Sequence, residues 1–257
     1  MSSHYATAFA LLGIYGLVTV CLPRFGSSIA FVSRRPRTTI VVWVTGLLLS
    51  VTSLTSSLGI LIATSLNDTT SLGFGEPWQA AVAQNVLGWL ALACIGVITF
   101  HLASAGQWLK AERLDYARQA GAVISHSRET EWGDDVREVP LDRHLISAYP
   151  QTQTVLISDF SSRHLSANEM HAAITHERAH LNRNHAFVVA LTQLAMAAAA
   201  GVDASRRFAR AVKLAIEFAA DDEALAASNR TDLANAIRKT AETDDPLAEL
   251  RLQRLGD

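Results

Sequence analysis

His176-Glu177-Arg178-Ala179-His180 reads HExxH. Two histidines four residues apart stand on one face of a helix, one turn above each other, the spacing at which two imidazole nitrogens reach the same metal ion. Glu177 lies beside them, placed to take a proton from an attacking water, so the chemistry to expect is zinc-assisted hydrolysis. Such a site needs a third protein ligand, usually a Glu on a later helix. The run Ala215–Asp222 (AIEFAADD) offers Glu217 and Asp221 at i and i+4. Glu217 is expected to bind the metal. Asp221 is expected to accept a hydrogen bond from the far nitrogen of a ligand histidine and so fix its tautomer and orientation. Carboxylates among alanines are costly to bury without such partners; the alternative is a solvated face, since Asp222 and Glu223 follow directly.

The elements that must position these groups are signalled nearby. Ser166-Ala167-Asn168-Glu169 has the S-x-x-E form of a capping box, which starts a helix near Ala167. Met170, Ile174 and Leu181 recur at helical spacing and can face a core, while His176 and His180 share a neighbouring face with Ala173 and Asn184. A metzincin would need HExxHxxGxxH. Arg183 and Ala186 occupy the Gly and His places, with His185 one residue early, so that class is excluded. His164, His171 and His185 are therefore read as surface or cleft-lining residues.

HERAHLNRNH followed by EFAADDEA resembles the integral-membrane gluzincins of the beta-lactam sensor-transducer (BlaR/MecR-type) peptidase family, related to the CAAX prenyl proteases and heat-shock membrane proteases. The resemblance covers about Ile146 to Ala226, with hydrophobic spans before it. It implies one zinc ion per chain held by His176, His180 and Glu217, with Glu177 as general base and Asp221 behind the ligands. The antibiotic sensors carry a large extracellular penicillin-binding domain after the peptidase, whereas this chain ends at Asp257, so beta-lactam sensing is not expected. His144–Ala148 and Thr152–Ser158 flank Tyr149-Pro150-Gln151 and read as a hairpin. In HExxH enzymes an edge strand beside the active helix holds the substrate backbone. By that resemblance Thr154, Val155, Leu156, Ile157 and Ser158 are the candidate substrate strand, with a strand that only packs the core as the alternative.

The 257 residues are 49% hydrophobic and 18% charged, with a mean hydropathy of +0.19. That is too apolar for an average soluble domain and too charged for a chain wholly in lipid. A net charge of −2 gives no case for nucleic-acid binding. Cys21 and Cys94 both fall in apolar spans and read as packing residues. Spans are expected at about 5–22, 40–66 and 80–106, with the first retained rather than cleaved as a signal peptide. His101 sits near the end of the third, within reach of the interface. Arg24, Arg34, Arg35 and Arg37 follow span one, and Lys110, Arg113 and Arg118 follow span three, while the polar turn 67–79 has no basic residue. The positive-inside rule then puts the N-terminus outside and everything after Gly106 in the cytoplasm.

The expected architecture is mostly α: a three-helix membrane domain over 1–106, then a zincin-like α+β metallopeptidase domain over 107–257 with a small hairpin or sheet. Trp108–Val123 reads as a juxtamembrane helix and Ser127–Val139 as an exposed charged loop. Ala186–Gly201 is apolar for 16 residues, but a single crossing there would part Glu217 from the histidines. Either it packs inside the domain or dips into the bilayer and back, or Glu217 is not the ligand. Packing is preferred, with a turn at Gly201-Val202-Asp203 and a helix over Ser205–Ala227. Thr231–Glu242 and Pro246–Leu255 read as short helices. The expected function is a membrane-embedded zinc endopeptidase acting on a protein or peptide at the cytoplasmic face, in signal transduction. Its target would be a cytoplasmic transcriptional regulator, or the enzyme itself within Ser127–Val139. A broad-specificity quality-control protease and a non-proteolytic membrane sensor or scaffold are the rival classes; a structural zinc site would not need Glu177.

Overall fold

The computed structural model describes residues 3–26, 28–68, 78–198, 203–242 and 244–256. The fold is mostly helical with one small mixed sheet. The chain runs α1 (Ser3–Gly26), α2 (Ile29–Arg34), α3 (Pro36–Asp68), α4 (Trp78–Ile124), β1 (Arg128–Glu129), β2 (Val136–Val139), β3 (Ile146–Tyr149) and β4 (Thr154–Ser158). It continues through α5 (Asp159–His164), α6 (Ala167–Asn182), α7 (His185–Ala198), α8 (Asp203–Ala227), α9 (Arg230–Thr240) and α10 (Pro246–Leu255). Two compact units share this path. One holds residues 1–28, 41–107 and 193–209, the other 29–40, 108–192 and 210–257.

In the first unit, α1, α3 and α4 are each long and apolar enough to cross a membrane. Leu17, Val41, Trp89 and Phe100 are between 63 and 71% exposed, an apolar surface that water would not favour and hydrocarbon would. Tyr5, Ala8, Leu58, Leu61 and Ala91 pack together, and the buried Ser57 hydroxyl donates to Ala8 O at 2.8 Å. A Cβ on Gly88 would lie 2.5 Å from that of Ser65, so glycine lets α3 and α4 approach closely there. The third span and the juxtamembrane helix expected as separate pieces are one continuous helix, α4. Its 47 residues extend about 70 Å, against ~30 Å of hydrocarbon. Most of the turn expected at 67–79, and Gly201 and Val202 of the turn expected at Gly201-Val202-Asp203, lie outside the described residues.

The second unit centres on the sheet, in the order β1-β2-β4-β3. β2 pairs with β4 in parallel, and β3 returns antiparallel on the other side of β4. The sheet differs from the expected arrangement at two places. Ser127–Val139 is not simply an exposed loop, because it carries β1 and β2. Val136 and Val139 are buried on either side of Arg137 and Glu138. Arg178 anchors the intervening turn, donating to both oxygens of Asp135 at 2.7 and 2.6 Å and to Trp132 O at 2.7 Å. Gly133 has φ +123° in that turn, and a Cβ would sit 2.9 Å from Arg178 Nη2, so the tight approach requires glycine. A segment held this way has less slack than an unstructured loop. Secondly, Thr154–Ser158 is not an edge strand. β4 is paired on both sides, with Val155, Leu156 and Ile157 fully buried, as a central strand covered on both faces must be. Among the described residues the outer strands are β1 and β3, and β3 is the one that lies against α6.

Against this sheet lies α6, which starts as its capping box dictates. Ser166 Oγ accepts from Glu169 N at 3.3 Å, and Glu169 Oε2 accepts from Ser166 N at 2.8 Å. Lys239 of α9 adds a 2.7 Å ion pair to the same carboxylate. Met170 and Ile174 pack onto Val136, Val155, Ile157 and Leu165; burying each contributes about 1.5–3 kcal/mol. On the other flank Ala172 joins Ala224, Leu233, Ala234, Ile237, Ala248 and Leu255 from α8, α9 and α10. The helix is thus fixed on two sides, and the face that carries its histidines is turned toward α8.

Candidate metal centre

α6 presents His176 and His180 one turn apart, their Nε2 atoms 3.1 Å from each other. From α8, Glu217 brings Oε2 to 3.3 Å from His176 Nε2 and Oε1 to 4.0 Å from His180 Nε2. Donors about 2.0–2.1 Å from a tetrahedral ion stand roughly 3.3–3.4 Å apart, so the spacing and the two-imidazole, one-carboxylate chemistry suit a metal. These three residues could hold a metal ion, with donor atoms all within 4.8 Å of one another. Because Glu217 reaches the histidines, the apolar segment between them does not carry it away. α7 within that segment has 14 residues, or about 21 Å, less than a membrane crossing. Asn184 falls outside α6, so it does not share the histidine face as the sequence suggested.

The histidines are oriented from behind by different partners. His176 Nδ1–H donates to Asp221 Oδ1 at 2.9 Å. Asp221 is 1% exposed and is also gripped by Arg251 of α10, whose Nε and Nη2 donate to Oδ2 and Oδ1 at 3.0 and 2.6 Å. Arg251 Nη1 lies 3.6 Å from Glu217 Oε2. Its Nη2 also comes within 3.3 Å of His176 Nδ1, but Nδ1 is the donor to Asp221 and does not accept, so the shared carboxylate holds the two groups together. Nothing in the sequence marks Arg251, an arginine 30 residues beyond Asp221 on a short helix; only the packing of α10 brings it here.

His180 is oriented by His185. The chain leaves α6 through Asn184 at φ 50°, a left-handed conformation that asparagine tolerates, and α7 begins by folding His185 back over the site. His185 is 5% exposed with Nδ1 3.1 Å from His180 Nδ1. With His180 Nε2 turned toward Glu217, its Nδ1–H is the donor and His185 Nδ1 the acceptor. Of the two expectations, surface or cleft-lining, His185 follows the second, buried against His180. His185→Leu should weaken metal affinity by about 10–100-fold with little change in helix content. Unchanged affinity in a metal titration would show that His180 needs no such support.

Electrostatics favour a cation between these groups. Burial and the Arg251 charge oppose a proton on His176, yet hydrogen bonds to Asp221 and Glu217 outweigh them and raise its pKa to about 9. A proton on Nε2 stands where a metal would. Burial and the charged His176 push His180 down to about 3, so it stays neutral and able to ligate. Burial raises Glu217 and Asp221, but the histidine bonds and charges prevail and hold both well below the usual carboxylate range.

Glu177 differs from the other carboxylates. Its Oε2 accepts the Ala148 N–H of β3 at 2.8 Å. Burial first, then the Glu217 charge, raise its pKa, against the pull of His176 and the Ala148 amide. Of the residues picked from sequence, the fold thus brings His176, Glu177, His180, Glu217 and Asp221 together. It leaves Thr154–Ser158 behind β3, inside the sheet. No protein-family model, curated protein or solved structure matches the chain.

Proposed function

We propose that the chain is a membrane-embedded zinc endopeptidase of the gluzincin type, similar to the sensor-transducer peptidases, hydrolysing a protein substrate at the cytoplasmic face. The observation that carries this reading is the placement of Glu177. It is a carboxylate with a raised pKa, adjoining the two-histidine, one-glutamate cluster and hydrogen-bonded to an edge strand. A structural metal site would have no use for it. Zinc held by His176, His180 and Glu217 would supply Lewis acidity toward the scissile carbonyl and toward an attacking water. Glu177 takes the proton as that water attacks and hands it to the departing amine. Asp221 and His185 keep the imidazoles in the tautomers that leave both Nε2 atoms free, and Arg251 keeps Asp221 charged.

Substrate would lie along β3. Ser158 N–H bonds Leu145 O at 2.8 Å, and Ser147 pairs with Leu156 one step further on. In that alternation Ile146 and Ala148 turn their backbone groups away from β4, with the Ala148 N–H already donated to Glu177. An extended peptide added there would run directly over Glu177. The charge pattern of the spans supports a cytoplasmic placement for this surface, where a transcriptional regulator is the favoured target and broad quality control the alternative.

Peptide-library cleavage by the detergent-solubilised full chain tests the reading. Hydrolysis should stop with a chelator and return with zinc. In sealed vesicles an impermeant peptide should be cut only when the cytoplasmic face is outward. Cleavage that persists in chelator, or none with zinc restored, would remove the proposal.

A further inference from the structure

α2 ends at Arg34 and α3 begins at Pro36, so Arg34, Arg35 and Arg37 crowd the start of a helix long and apolar enough to cross a membrane. All three are exposed. With Pro36, Thr38 and Asp222 they line an open pocket of about 320 Å³. The surrounding charges do not balance. Asp222 is taken by Arg254 at 2.6 Å, and Glu223 is shared by Arg37 and Arg183. Two carboxylates therefore face five guanidiniums, and among the described residues neither Arg34 nor Arg35 has an acidic side chain within ion-pair distance. The first turn of α3 adds to this. It contains no acidic residue, and its N–H groups have no carbonyl within the helix to bond. Thr39 ties that turn to Arg35, its N and Oγ1 each bonding Arg35 O at 2.9 Å.

We propose that this pocket binds the phosphate of an anionic phospholipid headgroup in the leaflet that α1 and α3 enter. A guanidinium fork matches two phosphate oxygens at once and is weakly hydrated, so it exchanges water for phosphate readily. Inorganic phosphate offers the same oxygens. The lipid is favoured because the apolar run of α3 starts directly after the arginines and gives acyl chains a surface to follow, and because anionic lipid concentrates at juxtamembrane basic clusters. The lining residue Asp222 adjoins Asp221, so the headgroup would sit one residue in sequence from the carboxylate that orients His176. The proposal rests on α1 and α3 lying in a bilayer, not on the peptidase reading.

The test uses the full chain in phosphatidylcholine vesicles containing a minor fraction of spin-labelled phosphatidylglycerol. The parent chain should bind phosphatidylglycerol over spin-labelled phosphatidylcholine. R34Q/R35Q should cut that preference by roughly fivefold per arginine, whereas R34K/R35K, which keeps the charge and loses the fork, should fall between it and the parent; both should keep the parent's helix content. Equal binding of the two lipids by the parent, or an undiminished preference in R34Q/R35Q, would overturn the proposal. Displacement of the lipid by inorganic phosphate, down to the R34Q/R35Q level, would reassign the pocket to free phosphate and overturn it too. A chain stripped from vesicles by alkaline carbonate would end it together with the membrane reading, while leaving peptide hydrolysis in solution as a separate result.

Discussion

Glu177→Gln should leave zinc bound at one per chain and lower the rate of peptide hydrolysis by about 10²–10⁴-fold, the usual worth of a positioned acid–base group. The substitution suits the local geometry. Glutamine keeps an oxygen to accept the Ala148 N–H, which Glu177 now accepts at 2.8 Å, so the strand and helix need not move. What it loses is the ability to take a proton. Zinc content by elemental analysis and single-turnover cleavage separate the two roles, and His176→Ala should fail both measurements. A Glu177→Gln chain that cleaves near the parent rate would show that another group is the base. Loss of zinc together with activity would make Glu177 part of the metal's support and leave its catalytic role without evidence.

The parts of this site that are local in sequence were legible, and the parts that depend on tertiary packing were not. HExxH fixes its own geometry within one turn of helix, and the Ser166–Glu169 capping box fixes where that helix starts. Glu217 and Asp221 stood out because two carboxylates at i and i+4 on an alanine-rich helix after HExxH can share one metal site. Arg251 carried no such sign, since its contact with Asp221 exists only once α10 packs on α8. His185 was undervalued because its approach to His180 depends on a left-handed residue at Asn184 that ends one helix and redirects the next. In the sheet, the Val155–Ile157 run showed a strand but not its neighbours. β2 hides its two valines around Arg137 and Glu138, and its parallel pairing with β4 is a non-local contact. That concealment moved the open edge from Thr154–Ser158 to Ile146–Tyr149. α4 was divided in two because its surface turns from apolar to charged near Gly106, although no proline or cap interrupts the helix there.

Glu217→Ala should weaken zinc far more than Asp221→Asn, for which about 10–100-fold is expected. Glu217 offers its carboxylate to both imidazole Nε2 atoms, at 3.3 and 4.0 Å, whereas Asp221 meets only the far side of His176 at 2.9 Å. The pH dependence distinguishes the two variants further. The metal must displace the proton that Asp221 and Glu217 stabilise on His176, whose pKa is raised to about 9. Apparent affinity should therefore climb about tenfold per pH unit through neutrality and level off near that value. Asp221→Asn removes one source of the raised pKa, so its plateau should begin at lower pH and its deficit should be smallest in acid. The metal-free chain should show the opposite trend. A histidine pKa above the unfolded 6.5 contributes stability that is complete below 6.5 and is lost as pH rises through about 9. Thermal unfolding of the stripped chain should then fall by a few kcal/mol over that window, while the zinc-loaded chain gains. Zinc titrations and melting curves at matched pH values check both. A flat affinity profile between neutral and alkaline pH would mean that no proton competes at His176, and equal losses in the two variants would move the third ligand from Glu217 to Asp221.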